Sequence, residues 1–399
     1  MIYLLLLIFI FNLFYIIRKG LYTSTFIIHF FFVSLIFIGP PIYYELGFTT
    51  YAHSFDDQDL VLFEIYGISV FFCTLVYFYF LKRLNKSFFN RFFQNYRDRN
   101  VTVIFLYFVL WYTLVLGYLL FYFNELPLTK FVLTGHLPDR LDQSGKVKLF
   151  YTFSSFFMVF VPSGYFFFIK FLKSNISKIL MLLLVIFILT SGGHKGLVSF
   201  FVIFALFFSG IRFNFKYLLI GLVSLVGLLT IYTLSKGREF NKETFFYLLE
   251  SPPRRFFVTQ GSAFITRISL DRKGLYEGNI YDYQVIKRET FQFIYPSVNE
   301  KGAAPTIFLG DLHVRYGYFI TMFIYVTFLI FTFFFIKGTD NMDSRRLYLW
   351  WNIFIFFYLL GMAEISYTSV LRMILVMFNF AAILFIPYLK LKNIENKII

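Results

Sequence analysis

Long apolar runs alternate along this chain with short charged breaks. The apolar runs are Ile2–Ile17, Thr25–Tyr44, Leu60–Leu81, Val101–Phe123, Phe150–Phe171, Ile179–Thr190, Leu197–Ser209, Tyr217–Leu234, Thr306–Ile336, Leu347–Gly361 and Tyr367–Ile386. A helix needs about 20 apolar residues to cross the hydrocarbon of a bilayer, and a buried soluble core does not need such runs many times over. The pattern predicts an all-α polytopic integral membrane protein with about 11 transmembrane helices. The runs at Ile179 and Leu197 are short, which fits either tilted helices or one broken helix. No internal repeat is evident.

One break is long. It divides the chain into residues 1–234, holding eight spans, a large polar loop at 235–305, and residues 306–399, holding the last three spans and a tail. Within the loop, Ser251-Pro252-Pro253-Arg254-Arg255 offers an N-cap serine followed by proline at the first helical positions. The stretch Phe256–Asp271 then reads as a helix with Phe256, Phe257, Phe264, Ile265 and Ile268 on one face. Gln260, Arg267 and Asp271 share another, and Arg267 and Asp271 stand at ion-pair spacing. Such a helix is expected to lie in the membrane interface with its arginines turned toward headgroups. Those arginines either snorkel or grip an anionic headgroup, whose phosphate oxygens match the guanidinium fork.

Composition sharpens the class. Hydrophobic residues make up 59% of the chain and charged residues 15%, so most of it cannot face water. The 63 Phe fit lipid-facing helices and carry no further message. The lone Cys73 leaves the loops without an intramolecular disulfide. The first 17 residues lack a basic leader and a small-residue cleavage site, so a retained span is expected there.

Charge sets the orientation. Arg18 and Lys19, the group from Lys82 to Arg99, Lys170 to Lys178, Arg212 and Lys216, Lys337 to Arg346, and Lys390 to Lys397 fall on alternate connections. The positive-inside rule places these in the cytoplasm, with the N-terminus outside and the C-terminus inside. Residues 45–59, 124–149, 190–196, 235–305 and 362–368 are then external. The 235–305 loop carries eleven Lys and Arg against eight Asp and Glu, but loops of this length translocate regardless of charge. The net charge of +15 is therefore chiefly a topology signal, and no nucleic-acid partner is expected.

Four groups on the expected outer side carry candidate chemistry. The turn Thr190-Ser191-Gly192-Gly193-His194-Lys195-Gly196 is either an anion seat or a plain connection. Asp311, His313 and Arg315 crowd the start of a span, where ionisable groups are costly and point to function. Glu364 and Arg372 lie near the outer ends of the last two spans, and Arg372 needs an acidic or phosphate partner. Asp56-Asp57-Gln58-Asp59 is either a solvated acidic loop or a base or metal-ligating pair.

These residues carry a resemblance. A many-spanning, aromatic-rich chain with a Gly-rich turn at Thr190–Gly196 and a large late loop resembles the Wzy-type O-antigen or capsular polysaccharide repeat-unit polymerases. The likeness is concentrated in residues 186–320 and includes the stretch from Ala304 to Asp311 with Tyr316-Gly317 after it. Arg267 and Gly278 match an Arg-then-Gly spacing found in the outer loops of some members. Two departures stand out: His194-Lys195 where the turn commonly carries Arg, and Asp311 where the acidic residue is often Glu.

The resemblance implies a GT-C-like fold in a bacterial plasma (inner) membrane. It implies inverting glycosyl transfer on the outer face, without cofactor or metal. The substrate would be an oligosaccharide repeat unit on undecaprenyl pyrophosphate, with membrane lipids, a chain-length regulator and a flippase as partners. The leaving pyrophosphate gains charge in the transition state, so preplaced cations assist it. Arg238, Arg254, Arg255, Arg267, Arg315, Arg372 and Lys195 are the candidates for that role. The acceptor hydroxyl loses a proton, for which Asp311, His313 and Glu364 are the candidate bases. The rival readings are an O-antigen ligase, a polyprenyl-phosphate-sugar transferase working through Asp56 and Asp57, and a lipid-linked oligosaccharide flippase.

Overall fold

Many large apolar side chains stand exposed on this folded chain, and a few ionisable ones, Asp59, Arg267 and Asp311 among them, are buried. The computed structural model describes residues 1–21, 24, 26–46, 55–83, 101–134, 148–191, 195–208, 258–296, 304, 306–340, 347–362 and 367–385. Among them the regular structure is helical, without strands. In chain order the helices are α1 (Ile2–Lys19), α2 (Ile27–Glu45), α3 (Asp57–Arg83), α4 (Val101–Phe121), α5 (Pro127–Thr134), α6 (Lys148–Phe168) and α7 (Asn175–Ser191). They continue with α8 (Lys195–Phe208), α9 (Gln260–Arg272), α10 (Tyr283–Ile294), α11 (Phe308–Asp340), α12 (Leu347–Met362) and α13 (Tyr367–Phe385).

Five of these segments are long and apolar enough to cross a bilayer: α1, α2, α3, α4 and residues 308–333 of α11, the last interrupted at Gly317, whose φ of 70° and ψ of −175° are not helical. Stretches of α6, α7, α12 and α13 are apolar but shorter. The expected span Tyr217–Leu234 lies outside the described residues. On α1, Tyr3, Leu7, Ile10, Phe14 and Ile17 form an exposed stripe at helical spacing, while Leu5, Asn12 and Ile16 face inward. Such a stripe is unfavourable in water and suits lipid, the arrangement of a membrane-embedded helical protein. Arg18 and Lys19 close the helix, and Gly20, at φ 65°, caps it in the left-handed conformation.

The described helices gather into two compact units. The first contains α1, α2, α3, α9, α10, α11 and the end of α12. The second contains α4 to α8, the start of α12 and most of α13. Proline organises the packing within each. In the first, Pro40 lies inside α2 and offers no N–H to the Ile36 carbonyl one turn earlier. The α9 backbone approaches that carbonyl so closely that a Cβ on Gly261 would sit 2.4 Å from it. In the second, Pro162 inside α6 likewise leaves the Met158 carbonyl without its helical donor, and Trp351 Nε1 donates to it at 3.0 Å. Next to Pro162, Ser163 Oγ donates to Val159 O and accepts from Asn352 and Asn379 at 3.0 and 3.1 Å. Asn379 also donates to Asn352 Oδ1 and accepts from Tyr107. Fully satisfied, such a network fastens helices where hydrophobic attraction between them is weak.

The loop helix differs from its expectation. The proposed start at Ser251–Arg255 lies outside the described residues, and α9 begins at Gln260. It presents no exposed face along most of its length: every residue from Gln260 to Leu270 is buried, against α2, α3, α10 and α11. The physical reason is its small side chains. Gly261, Ser262, Ala263, Thr266 and Ser269 allow neighbouring backbones to close in, while Phe264 packs against Phe37, Phe63 and Tyr66. Gly274, at φ 63°, ends the helix, with Leu275 N donating to Leu270 O and Gly274 N to Asp271 O. The following turn is pinned by Glu289, whose carboxylate accepts from the backbone of Glu277 and Gly278.

Candidate active site

Several charged residues of the first unit meet where α9 packs against the start of α11 and the first turns of α3. Arg267 of α9 and Asp311 of α11 form an ion pair sealed from solvent, at 0% and 1% exposure. Arg267 also donates through Nη2 to Ala304 O at 3.0 Å, and its Nε has no hydrogen-bond partner among the described residues. The expected pairing of Arg267 with Asp271 is not the one formed. A buried guanidinium needs a buried counter-charge, and Gly310 lets α11 come close enough to supply one: a Cβ there would sit 3.2 Å from Phe264 of α9 and 2.6 Å from Thr306.

His313, two residues beyond Asp311, turns to a different set of partners. Its Nδ1 lies 2.9 Å from the buried Tyr66 hydroxyl of α3, and its Nε2 lies 3.6 Å from Asp271 Oδ2 on the last turn of α9. The Asp271 side chain is 40% exposed, and its partial burial holds the carboxyl above the ordinary carboxylate range. Beside it, burial pushes the Tyr276 hydroxyl up to about 12; Arg267 opposes that shift, and Asp271 and Asp311 add to it. Arg315, one turn beyond Asp311, is half-buried and donates through Nε to Ile280 O at 3.2 Å.

A second set of charges clasps the end of α9 to the start of α3. Arg272 donates through Nε to Asp59 at 2.8 Å, through Nη1 to Gln58 at 2.8 Å and through Nη2 to Asp56 at 2.6 Å. Lys273 Nζ stands 2.9 Å from the same Asp56 oxygen. Lys273 and then Arg272 hold the Asp56 carboxyl below its ordinary range. Asp59 is fully buried, so this acidic run is not simply a solvated loop, although Asp57 is exposed.

The other expected site residues fall elsewhere. Arg372 is on α13 in the second unit, where Nε donates to Ser155 Oγ at 3.2 Å. Lys195 opens α8. Arg238, Arg254, Arg255 and Glu364 lie outside the described residues. Three participants were not singled out from the sequence: Tyr66, Asp271 as a partner of His313, and Arg272. Tyr66 was one aromatic among many, and Asp271 read as a helical neighbour of Arg267. Only the side chains that packing brings opposite them distinguish these residues.

The site thus combines a sealed ion pair, a tyrosine–histidine–carboxylate line ending in a partly exposed side chain, and a cationic residue that donates to a backbone carbonyl. Such an arrangement has the parts for proton transfer beside an anion. No protein family, characterised protein or solved structure matches the chain.

Proposed function

We propose that this protein is a membrane glycosyltransferase of the Wzy polymerase type, joining lipid-linked oligosaccharide repeat units at the outer face of a bacterial plasma membrane. The observation that carries this reading is the loop helix α9. A polar segment is held inside an apolar helical bundle, and it brings Arg267 and Asp271 against Asp311 and His313. Buried ionisable groups are costly beside lipid, and a structural connection has no need of three, Arg267, Asp311 and His313, with a fourth at their rim.

In this reading the growing chain leaves its polyprenyl pyrophosphate and joins a hydroxyl of the next lipid-linked unit. Arg315 is better placed than Arg267 to meet the leaving pyrophosphate, since Arg267 is sealed against Asp311 and Arg315 is only half-buried. Arg254 and Arg255 remain candidates for the same anion on the sequence resemblance, and Glu364 for acid–base work. The sidedness is that of the charged loops, with 82–100 and 337–346 cytoplasmic and 235–305 external. The transferase alternative through Asp56 and Asp57 would need the Arg272 and Lys273 contacts to Asp56 to open first.

Purified protein in liposomes, given lipid-linked repeat units, is expected to convert them into longer chains. Arg315→Ala should slow this about a hundredfold, as loss of one transition-state contact does, with Arg315→Lys intermediate. Reporter fusions at Asn95 and Gly278 should give opposite-sided signals. A protein that only moves the lipid-linked unit across the bilayer, joining nothing, refutes the enzyme reading.

A further inference from the structure

We infer that Asp271 is the catalytic base of this site, the carboxylate that takes the proton from the acceptor hydroxyl, and that His313, backed by Tyr66, positions it. The inference rests on the transferase reading and names a residue which that reading did not supply.

The other described acid–base candidates are spoken for. The Asp311 carboxylate is sealed, and its charge is matched by Arg267, so a substrate hydroxyl reaches it only by breaking a buried ion pair. His313 is nearly sealed as well, with Tyr66 at one ring nitrogen and Asp271 at the other. Asp271 is different: its Oδ2 lies 3.6 Å from the imidazole Nε2 while its side chain is 40% exposed.

Its chemistry fits the task. A base works best when its proton affinity is near that of the medium, and a carboxylate raised by partial burial moves in that direction. Its position on the last turn of α9, at the negative end of the helix dipole, acts in the same sense. The groups facing it are His313 of α11 and Tyr276 of the following turn, with Tyr66 of α3 behind the histidine. The 3.6 Å gap between Nε2 and Oδ2 is longer than a hydrogen bond, and closing it takes a shift of roughly 0.6 Å, of the kind substrate binding produces.

In the reaction the acceptor oxygen forms a bond to the anomeric carbon of the donor chain. The bond from that carbon to the pyrophosphate oxygen breaks, and the electron pair leaves with the lipid pyrophosphate. The hydroxyl proton passes to Asp271 Oδ, so charge and atoms balance without metal or oxidant.

The test uses full-length protein in liposomes and lipid-linked repeat units extracted from the producing cells. Asp271→Asn is expected to lower kcat about a hundredfold or more while leaving KM for the donor within about twofold. His313→Phe, which keeps a ring against Tyr66, is expected to lower kcat about tenfold in the wild-type background. In the Asp271→Asn background it should cost nothing further, because a positioning residue has nothing left to position. Independent, additive losses overturn the positioning role. If Asp271→Asn does not yield monodisperse protein, Asp271→Glu replaces it, and the displaced carboxylate should lower kcat at least about fivefold. Wild-type rates in the carboxylate variants, with the wild-type protein polymerising normally, overturn the assignment of the base and leave the transferase reading standing. Absence of any chain growth by the wild-type protein overturns both.

Discussion

Replacing Arg267 with methionine removes the counter-charge of Asp311 while keeping most of the side-chain volume. Asp311 is 1% exposed and Arg267 is 0% exposed, so neither can recover solvation without opening the packing of α9 on α11. Removing one member of a buried pair leaves an uncompensated charge and costs about 3–5 kcal/mol. Ala304 O also loses the donor it has at 3.0 Å. Against a typical stability of about 5–15 kcal/mol, this is enough to lower the yield of folded protein sharply. Asp311→Leu should cost a similar amount, because it strands the guanidinium instead. The double variant, Arg267→Met with Asp311→Leu, removes both charges together and should be at least about 2 kcal/mol more stable than the sum of the single losses predicts. The assay is a double-mutant cycle in detergent micelles, with unfolding followed by titration with a denaturing surfactant. Single losses below about 1 kcal/mol, or strict additivity in the double variant, would refute the claim that this pair is sealed and mutually dependent.

Two further outcomes follow from the same unit. Gly261→Ala would place a Cβ 2.4 Å from both Ile36 O and Pro40 Cγ, and the overpacking should cost about 1–3 kcal/mol in the same titration; a neutral effect would mean that α9 does not approach α2 as described. The clasp at Asp56 should weaken in acid: a carboxyl held below its ordinary value of 3.8 contributes stability above that value, and loses it as the pH falls through the depressed value. Asp56→Asn should therefore lower the unfolding midpoint at about pH 7 and make no difference near pH 2; an equal loss at both would assign the effect to packing rather than charge.

Helix positions were legible in the sequence because an apolar run is a local property. The runs from Ile2, Leu60 and Val101 each became a helix long enough to span a membrane, with edges shifted by a few residues. The Asp311 cluster was also legible as unusual, since three ionisable side chains at the start of an apolar run are conspicuous whatever they touch. The loop helix was legible as a helix, but its burial among four other helices was not. Its apolar face at Phe264, Ile265 and Ile268 was read from the sequence, whereas its small residues Gly261, Ser262, Ala263, Thr266 and Ser269, which let neighbouring helices close on the other sides, carry no local signal of what they pack against.

What only the tertiary structure decided is which charges meet. Arg267 and Asp311 are 44 residues apart, and Tyr66 and His313 are 247 apart. By helical spacing alone Arg267 belonged with Asp271, at four residues. An ion pair four residues apart on a solvated helix contributes only a few tenths of a kcal/mol, whereas a charge buried without a partner costs several. Once the glycines at 261 and 310 let α9 sink between α2, α3 and α11, burial outweighed local spacing. Arg267 took the buried Asp311, and Asp271 was left at the rim facing His313.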